Sequence, residues 1–319
     1  MCKNVFFHLR GIVSILIYFI NTVFWVIPIY IAAIAKLLIP QKTFRKYCDI
    51  VLNTSAGNWV WVNNMTQRIF CNIRLHVSGT ESLRPEGWYL VVSNHQSWTD
   101  ILVLQRIFHG KIPFLKFFLK QQLFWFPIIG QAWWALDFPF MKRYSSAFIK
   151  KNPHLKGRDL ETTRKACEKF KSIPVSVMNF AEGTRFTRQK HERQKSPFTH
   201  LLKPKAGGMA FTLAAMGEHL HSFIDVTIAY PGEKSFWDFL CGRVRDIRVQ
   251  VRTLPITREM LGDYFNDSDF RLAFQNWVNA LWQQKDACIQ EMISAPEPLI
   301  PVSVPSFPPF RIPFPVTEK

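Results

Sequence analysis

The chain has 319 residues, of which 48% are hydrophobic and 15% aromatic, so it is too apolar to be disordered and long enough for one large domain with a sizeable core. Lys and Arg number 40 against 23 Asp and Glu, and the formal charge of +17 indicates an anionic partner such as a phosphate, a nucleic acid or an acidic membrane surface. The six cysteines are scattered without a CxxC pair, which favours reduced, buried thiols in a cytosol-facing protein over disulfides or zinc.

Residues 11–35 form an uncharged apolar stretch near the start of the chain. As a helix rising about 1.5 Å per residue, it is long enough to cross a hydrocarbon core of about 30 Å. Asn21 and Pro28 interrupt the stretch, so a kinked span and a re-entrant hairpin are both open. A cleaved signal peptide is a third alternative because 33–35 reads Ala-Ile-Ala, but the stretch is longer than a signal core of about 7–15 residues.

The basic residues around this stretch predict its orientation. Lys3 and Arg10 precede it, and a larger group follows it, consisting of Lys36, Lys42, Arg45 and Lys46. Positive residues accumulate on the cytoplasmic side of membrane segments. We therefore expect a protein of a bacterial-type inner membrane or of an intracellular membrane, with its main domain facing the cytoplasm.

Composition divides the chain into four parts. Residues 1–40 are the predicted membrane anchor, and 41–72 are a predicted amphipathic linker helix that either lies at the membrane interface or packs against the main domain. Residues 73–294 form the predicted main domain. Residues 295–319 are rich in proline and are predicted to be extended or disordered.

The main domain has the pattern of an α/β fold, because apolar runs of strand length alternate with longer segments of helical period. In the last predicted strand, 247–254, apolar and polar residues alternate, which predicts one buried face. The predicted strands cover 72–78, 88–93, 172–180, 226–230 and 247–254, and the predicted helices begin near 101 and cover 209–216 and 270–293.

A histidine follows the strand at 88–93, within the sequence NHQSWTD. Sheets in α/β proteins place reactive groups at the carboxyl ends of strands, and a histidine there can accept a proton near neutral pH. Asp100, five residues after His95, can turn back and orient the ring, which makes the pair a candidate for deprotonating a hydroxyl. Alternatively, Ser97 and Asp100 are only a capping box for the following helix.

Residues 112–143 are almost wholly apolar and aromatic but carry isolated cations. Pro127 and Gly130 divide this stretch into a predicted helix, a turn and a strand-like segment. It is either a buried core element with snorkelling lysines or the wall of an acyl-chain groove. We expect Lys116 and Arg143 to meet an anion, since cations inside such a stretch need one.

A second strand end occurs at 181–185, within the region that holds most of the excess positive charge. Arg185 offers a planar fork that matches two phosphate oxygens, and Gly183 lets the backbone approach a ligand closely. Glu182 is placed either to fix the arginine or to hydrogen-bond a substrate hydroxyl. The alternative for the whole segment is an ordinary surface turn.

Together these segments resemble the phospholipid/glycerol acyltransferase family, the 1-acylglycerol-3-phosphate acyltransferases, over residues 88–231. His95 and Asp100 are similar to the His-x4-Asp signature that forms the family's first block. The second block is represented by the stretch that ends in DFPFMKR at 137–143, which resembles the branch of lysocardiolipin acyltransferase-like enzymes.

Two further blocks complete the resemblance in the family's order. FAEGTR at 180–185 resembles the third block, and VTIAYP at 226–231 resembles the fourth. The proline that the family often places early in the fourth block is replaced here by Thr227 and Ile228. The resemblance implies a glycerol-3-phosphate acyltransferase-like fold, which is a mixed α/β sheet flanked by helices.

The resemblance also implies a reaction, the transfer of a fatty acyl group from acyl-CoA or acyl carrier protein to the sn-2 hydroxyl of lysophosphatidic acid, without an acyl-enzyme. His95 would act as the general base and Asp100 would hold its tautomer, while backbone N–H groups and Lys116 would stabilise the oxyanion. No metal and no cofactor besides the acyl thioester co-substrate are expected. The implied substrate-binding residues are Lys116, Arg143, Glu182, Gly183, Thr184 and Arg185.

Two alternatives to this function stay open. The acceptor is either lysophosphatidic acid or another lysophospholipid, such as lysocardiolipin or lysophosphatidylglycerol. A basic, membrane-tethered nucleic-acid-binding protein would also account for the charge of +17, but no nucleic-acid module is recognisable, so we expect no nucleic-acid partner. The sequence leaves the oligomeric state undetermined.

Overall fold

The computed structural model describes residues 2–141, 174–232 and 235–295. Arg143 and almost all of the proline-rich tail lie outside these residues. In the described residues the apolar N-terminal stretch is one continuous helix, α1 (Cys2–Leu38), which continues through Pro28. The second helix, α2 (Lys42–Ile69), folds back along it, so the reversal lies after the apolar stretch and not inside it.

Two polar residues inside α1, Asn21 and Thr22, form hydrogen bonds with α2. The Asn21 amide donates to the carbonyl of Trp59 at 3.0 Å and to Oδ1 of Asn63 at 2.9 Å, and the Trp59 indole donates to the Thr22 hydroxyl at 3.1 Å. Buried polar groups need such partners. The linker helix therefore packs against α1, and Asn21 marks the contact between the two helices.

The segment Asn4–Leu38 is the one helix among the described residues that is long and apolar enough to cross a membrane, by length and composition. One face of α1 contacts the main domain near both ends. The ring of His8 stacks on Trp237 at a centroid distance of 6.0 Å, and Nζ of Lys36 lies 3.6 Å from the Asp137 carboxylate. The helix therefore lies along the domain, and its large apolar residues on the opposite face, from Val5 to Leu38, are exposed.

A six-stranded mixed sheet forms the centre of the main domain, in the order β1-β8-β7-β2-β6-β3. All neighbouring strands are parallel except β7 and β8, which are antiparallel. Its strands are β1 (Arg74–Ser78), β2 (Tyr89–Ser93), β3 (Leu115–Phe117), β6 (Ser176–Phe180), β7 (Ser222–Ala229) and β8 (Asp246–Pro255). A separate two-stranded sheet pairs β4 (Leu119–Lys120) with β5 (Phe140–Met141). The remaining α-helices are α3 (Thr99–Phe108), α4 (Ile129–Ala135), α5 (Arg188–Gln194), α6 (Gly207–Met216), α7 (Phe236–Leu240) and α8 (Ser268–Ser294).

Helices cover both faces of this sheet. On one face Leu90 and Val92 of β2 belong to the apolar cluster that includes α6 and α8, and on the other face Tyr89 and Val91 belong to the cluster that includes α3. A parallel strand covered on both faces is apolar at every position, which explains why all of β2 is buried. This arrangement confirms the predicted α/β fold with a mixed sheet and flanking helices.

The stretch 112–143 differs from its prediction. In place of an initial helix, it begins with the edge strand β3, followed by β4, a 3₁₀ turn at Gln121–Trp125 and the short helix α4. Short apolar runs do not distinguish a strand from a helix, and β3 is fixed by pairing with β6, which lies far away in the sequence.

The strand β8 also differs from its prediction, because both of its faces are buried. Its polar residues alternate as expected, but α8 covers them. Arg248 donates to the carbonyl of Met292, and Oε1 of Gln250 accepts from the thiol of Cys288 at 3.2 Å. The alternation therefore marks a polar face that is satisfied inside the protein, not one that faces water.

A fully buried charge cluster lies between β7, β8 and α8. The Asp225 carboxylate pairs with Nη2 of Arg252 and with Nζ of Lys285, both at 2.6 Å, and Nζ also donates to the carbonyl of Val226 at 2.7 Å. Burial lowers the pKa of Lys285, and the ion pair with Asp225 opposes this shift. The carboxylate thus compensates two buried cations at the middle of β7.

We expect Asp225→Asn to destabilise the protein by about 3–5 kcal/mol, because it leaves Arg252 and Lys285 buried together without a counter-charge. The free energy of unfolding in urea, measured in detergent, checks this. Glu218→Gln removes an exposed carboxylate and is the matched control. Equal losses in the two variants would contradict the inferred role of Asp225.

Candidate active site

The carboxyl ends of β2, β6 and β7 lie at one edge of the sheet, because these three strands are neighbours and parallel. Ser93 at the end of β2 is in register with Phe180 of β6 and with Val226 of β7. The segments that follow the three strands therefore meet, although they are far apart in the sequence. This edge carries His95, the 181–185 loop and Tyr230.

His95 and Asp100 form a hydrogen-bonded pair at this edge. Nδ1 of His95 lies 2.9 Å from Oδ2 of Asp100, in the turn between β2 and α3. A carboxylate accepts a hydrogen bond from a protonated Nδ1, so the neutral tautomer that fits leaves Nε2 as an acceptor. Among the described residues no group hydrogen-bonds Nε2, and the His95 side chain is 10% exposed.

Asp100 is fully buried and accepts four hydrogen bonds. Besides the histidine, the backbone N–H groups of Gln96 and Ser97 donate to Oδ2 at 2.6 and 2.9 Å. The Tyr230 hydroxyl donates to Oδ1 at 2.6 Å, and burial together with the nearby Asp100 charge raises the pKa of Tyr230 well above its usual value. Asp100 therefore closes the turn, as the capping alternative predicted, and also holds the His95 ring.

The ring of Phe180 fixes one face of the imidazole. The two rings stack at a centroid distance of 4.0 Å and an angle of 14°, and Phe117 of β3 stacks on Phe180 at 6.0 Å. The hydrogen bond to Asp100 and this stacking together restrict rotation of His95. The histidine is thus held in one orientation by β2, α3 and β6.

Glu182 joins two backbone segments beneath the site. Its Oε1 accepts from the N–H of His95 at 2.8 Å, and its Oε2 accepts from the N–H of Leu202 at 2.9 Å. Burial raises its pKa to about 7, while these two hydrogen bonds oppose the shift. Because each oxygen already has a backbone donor, we now interpret Glu182 as a residue that positions His95, in place of the predicted contact with Arg185 or with a substrate hydroxyl.

The loop after β6 presents the other predicted residues. Gly183 has φ +69°, a conformation that favours glycine, and its backbone is exposed. The hydroxyl of Thr184 accepts from Nζ of Lys190 at 2.7 Å. The guanidinium of Arg185 lies over the indole of Trp98, 4.4 Å from the ring centroid.

The structure does not bring Lys116 to this edge. Lys116 is in register with Val177, three residues before the end of β6, and it lines a separate cavity of about 320 Å³ with Gln105 and His109. The loop residues Gly183, Thr184 and Arg185 lie near His95, whereas the position of Arg143 is outside the described residues.

Three residues of the site escaped the sequence-based prediction. The Asn94 amide donates to the carbonyl of Ile228 and accepts from its N–H, both at 2.9 Å, and so links the end of β2 to β7. Tyr230 contacts Asp100, and Trp98 contacts Arg185. Asn94 and Trp98 lie within three residues of His95, and this proximity could have marked them as candidate site residues. Nothing in the sequence around Tyr230 indicated that it would contact Asp100.

The α/β fold and the His95–Asp100 pair define a class of protein in which a histidine can take a proton from a bound group beside a loop that carries an arginine. A family profile described as Acyltransferase matches residues 74–230, which span β1 to the end of β7. This part of the chain is therefore a domain of the acyltransferase family, as the sequence resemblance predicted.

Several curated proteins are similar to this chain. The 1-acyl-sn-glycerol-3-phosphate acyltransferase gamma of Mus musculus is 25% identical over 219 residues, covering 64% of this chain and 52% of that protein. The alpha form of Bos taurus is 29% identical over 187 residues, covering 57% and 54%. The 2-acyl-1-lysophosphatidylinositol acyltransferase of Saccharomyces cerevisiae is 24% identical over 255 residues, covering 64% and 61%. The chain thus spans about half the length of the first two relatives.

A solved structure shares the fold. The crystal structure of the 1-acyl-sn-glycerophosphate (LPA) acyltransferase PlsC from Thermotoga maritima superimposes with a TM-score of 0.53 and 16% identity, covering 92% of this chain and 98% of that one. At this identity the match shows the fold alone. It includes the sheet and, because of its coverage, most of the N-terminal helical region.

The raised pKa of Glu182 predicts a pH dependence of stability. Its pKa is about 7 in the folded protein, against 4.5 for an ordinary glutamate, so between these values the folded state binds a proton that the unfolded state has lost. The stability that Glu182 contributes therefore falls as the pH rises from about 4.5 to about 7. Urea unfolding of wild type and Glu182→Gln across this range measures this, and the free energy of unfolding should fall less steeply with pH in the variant. Parallel profiles would show that Glu182 does not titrate there.

Proposed function

We propose that this protein is a lysophospholipid acyltransferase that moves a fatty acyl group from an acyl thioester to the sn-2 hydroxyl of lysophosphatidic acid. The observation that carries the proposal is the His95–Asp100 pair, which lies at the same edge of the sheet as Arg185. The acyltransferase profile and the relatives named for 1-acylglycerol-3-phosphate support it. The acyl donor is acyl-CoA or acyl carrier protein, and no other cofactor is proposed.

The reaction follows from the tautomer that Asp100 holds. Nε2 of His95 takes the proton of the sn-2 hydroxyl as the oxygen attacks the thioester carbonyl. The tetrahedral intermediate collapses, the carbon–sulfur bond breaks, and the imidazolium returns the proton to the leaving thiolate. The Asp100 carboxylate stabilises the imidazolium between the two steps and does not itself take the proton.

Other residues set the geometry of this reaction. Glu182 holds the backbone of His95, and the face of Phe180 holds its ring. Arg185 binds the phosphate of the acceptor through its planar fork. The apolar outer face of α1 attaches the protein to the membrane that contains the acceptor.

A second acceptor is favoured by one specific comparison. The yeast relative is named for acylation of a lysophosphatidylinositol, and it covers 64% of this chain, the same share as the murine relative named for 1-acylglycerol-3-phosphate. The chemistry at His95 is the same for both acceptors. A panel of lysophospholipids with a single acyl-CoA, read out as thiol release, separates them.

We expect His95→Ala to lower the turnover number by about 10²–10⁴-fold, because the general base is lost. We expect a loss in the same range for Asp100→Asn, because an amide does not stabilise the imidazolium. Thiol release from acyl-CoA with and without lysophosphatidic acid measures both variants.

The control for these variants is His221→Ala. His221 is exposed and precedes β7, at the opposite edge of the sheet from His95, so its turnover number should equal that of wild type. Near-normal turnover in folded His95→Ala protein would remove His95 from the proposed mechanism.

We expect Arg185→Lys to raise KM for the phosphate-bearing acceptor while leaving KM for the acyl thioester nearly unchanged. The ammonium keeps the positive charge but loses the two-pronged contact and the flat stacking on Trp98. Steady-state kinetics with each substrate varied in turn measure the two constants. An unchanged acceptor KM would place the phosphate elsewhere.

A further inference from the structure

The two oxygens of the Asp100 carboxylate have different surroundings. Oδ2 accepts hydrogen bonds from Nδ1 of His95 and from the backbone N–H groups of Gln96 and Ser97. Within the described part of the chain, Oδ1 has one hydrogen-bond partner, which is the Tyr230 hydroxyl at 2.6 Å. The charge that this carboxylate presents to His95 therefore depends on Tyr230.

The strength of that charge decides whether His95 can act as a base. Asp100 is fully buried, so its charge acts on the imidazole 2.9 Å away with little screening by water. A carboxylate at this distance favours the protonated ring, and an imidazole that is already protonated cannot take the proton of a hydroxyl. A donor on Oδ1 stabilises the carboxylate by itself, so the carboxylate gains less from a protonated ring.

Three elements, β7, α3 and the turn after β2, hold the Tyr230 hydroxyl against Oδ1. Its ring is buried in the apolar cluster that includes Val103 of α3. Its backbone directly follows β7, where the amide of Asn94 binds both backbone groups of Ile228. Burial and the Asp100 charge raise the pKa of Tyr230 well above its usual value, so the hydroxyl keeps its proton and remains a donor near neutral pH.

Other charged groups face the His95–Asp100 pair from the elements packed around it. Besides Tyr230 after β7, these groups are Glu182 and Arg185 in the loop after β6, Lys205 beside that loop, and Lys285 on α8. The pKa of Glu182 is about 7, and its carboxyl contacts the backbone of His95 and not the ring. Any measurement of the pair as a function of pH therefore has to exclude titration of Glu182.

We propose that Tyr230 is a positioning residue of the proposed acyl transfer and sets the basicity of His95 through Asp100. By holding Oδ1, the hydroxyl orients Oδ2 toward Nδ1 and limits the charge that favours a protonated ring, so Nε2 can accept a proton near neutral pH. The proposal rests on the proposed function, because it assigns the role of base to His95. Loss of the hydroxyl should therefore change the pH at which the pair takes up a proton.

Tyr230→Phe removes the hydroxyl and keeps the ring in its cluster. We expect the acidic limb of kcat/KM to move to higher pH by about 1 unit, because a hydrogen bond to a charged group is lost. At a fixed pH below the midpoint this lowers kcat/KM about tenfold, whereas on the plateau at higher pH both KM values should stay within about twofold of wild type. Thiol release from acyl-CoA, measured across the pH range, gives these constants.

Two controls separate this effect from a loss of stability and from titration of Glu182. Tyr89→Phe is the matched variant, because Tyr89 is buried in the same apolar cluster and its hydroxyl bonds the backbone of Arg84 at the start of β2. That end of β2 is the opposite edge of the sheet from His95, so the pH profile should equal that of wild type. In the Glu182→Gln background, the shift caused by Tyr230→Phe should persist.

A second readout does not need turnover. The chain has nine histidines, and in protein that carries isotope-labelled histidine at Cε1 the magnetic-resonance signal of His95 is the one that disappears in His95→Ala. The midpoint of its titration should rise in Tyr230→Phe by the same amount as the midpoint of the kinetic profile.

An unchanged midpoint in Tyr230→Phe, or an equal shift in Tyr89→Phe, would overturn the proposal. The two readouts keep this proposal apart from the proposed function. A shifted His95 signal in protein without acyl transfer retains the role of Tyr230 and removes the function. Acyl transfer with an unshifted signal retains the function and removes the role of Tyr230.

Discussion

The hydrogen bonds around the Asp100 carboxylate are the interaction on which the site depends. This buried group has only a few atoms, yet it joins the backbone after β2, the ring of His95 and the hydroxyl of Tyr230 after β7. An unpaired buried carboxylate is very unfavourable, so the turn closes in the conformation that supplies its donors. The same donors then set the tautomer and the direction of His95.

A second buried carboxylate, Glu182, does for the backbone what Asp100 does for the ring. It connects the N–H of His95 with that of Leu202, and Asn94 connects the same turn with β7 through Ile228. The ring of His95 therefore rests on three strands and not on a free loop. The proposed role as a general base requires such support, because the nitrogen that takes the proton must lie within hydrogen-bond reach of the substrate.

The apolar N-terminal helix and the site are built into one structure. α1 packs on α2 and touches the main domain near both ends, so its exposed apolar face has a fixed relation to the sheet. Under the proposed function, this fixed relation sets how far the edge that carries His95 lies from the membrane that contains the acceptor.

The sequence by itself determined the α/β class, the apolar N-terminal helix and the positions of His95, Asp100 and Arg185 after the ends of strands, because each follows from local pattern and from residue chemistry. Tertiary structure decided the rest: β3 formed where a helix was predicted, α8 buried the polar face of β8, and Glu182 bound backbone groups in place of a ligand. Each of these outcomes depends on a partner far away in the chain, and the periodicity of one segment holds no information on which partner will satisfy its hydrogen bonds and charges.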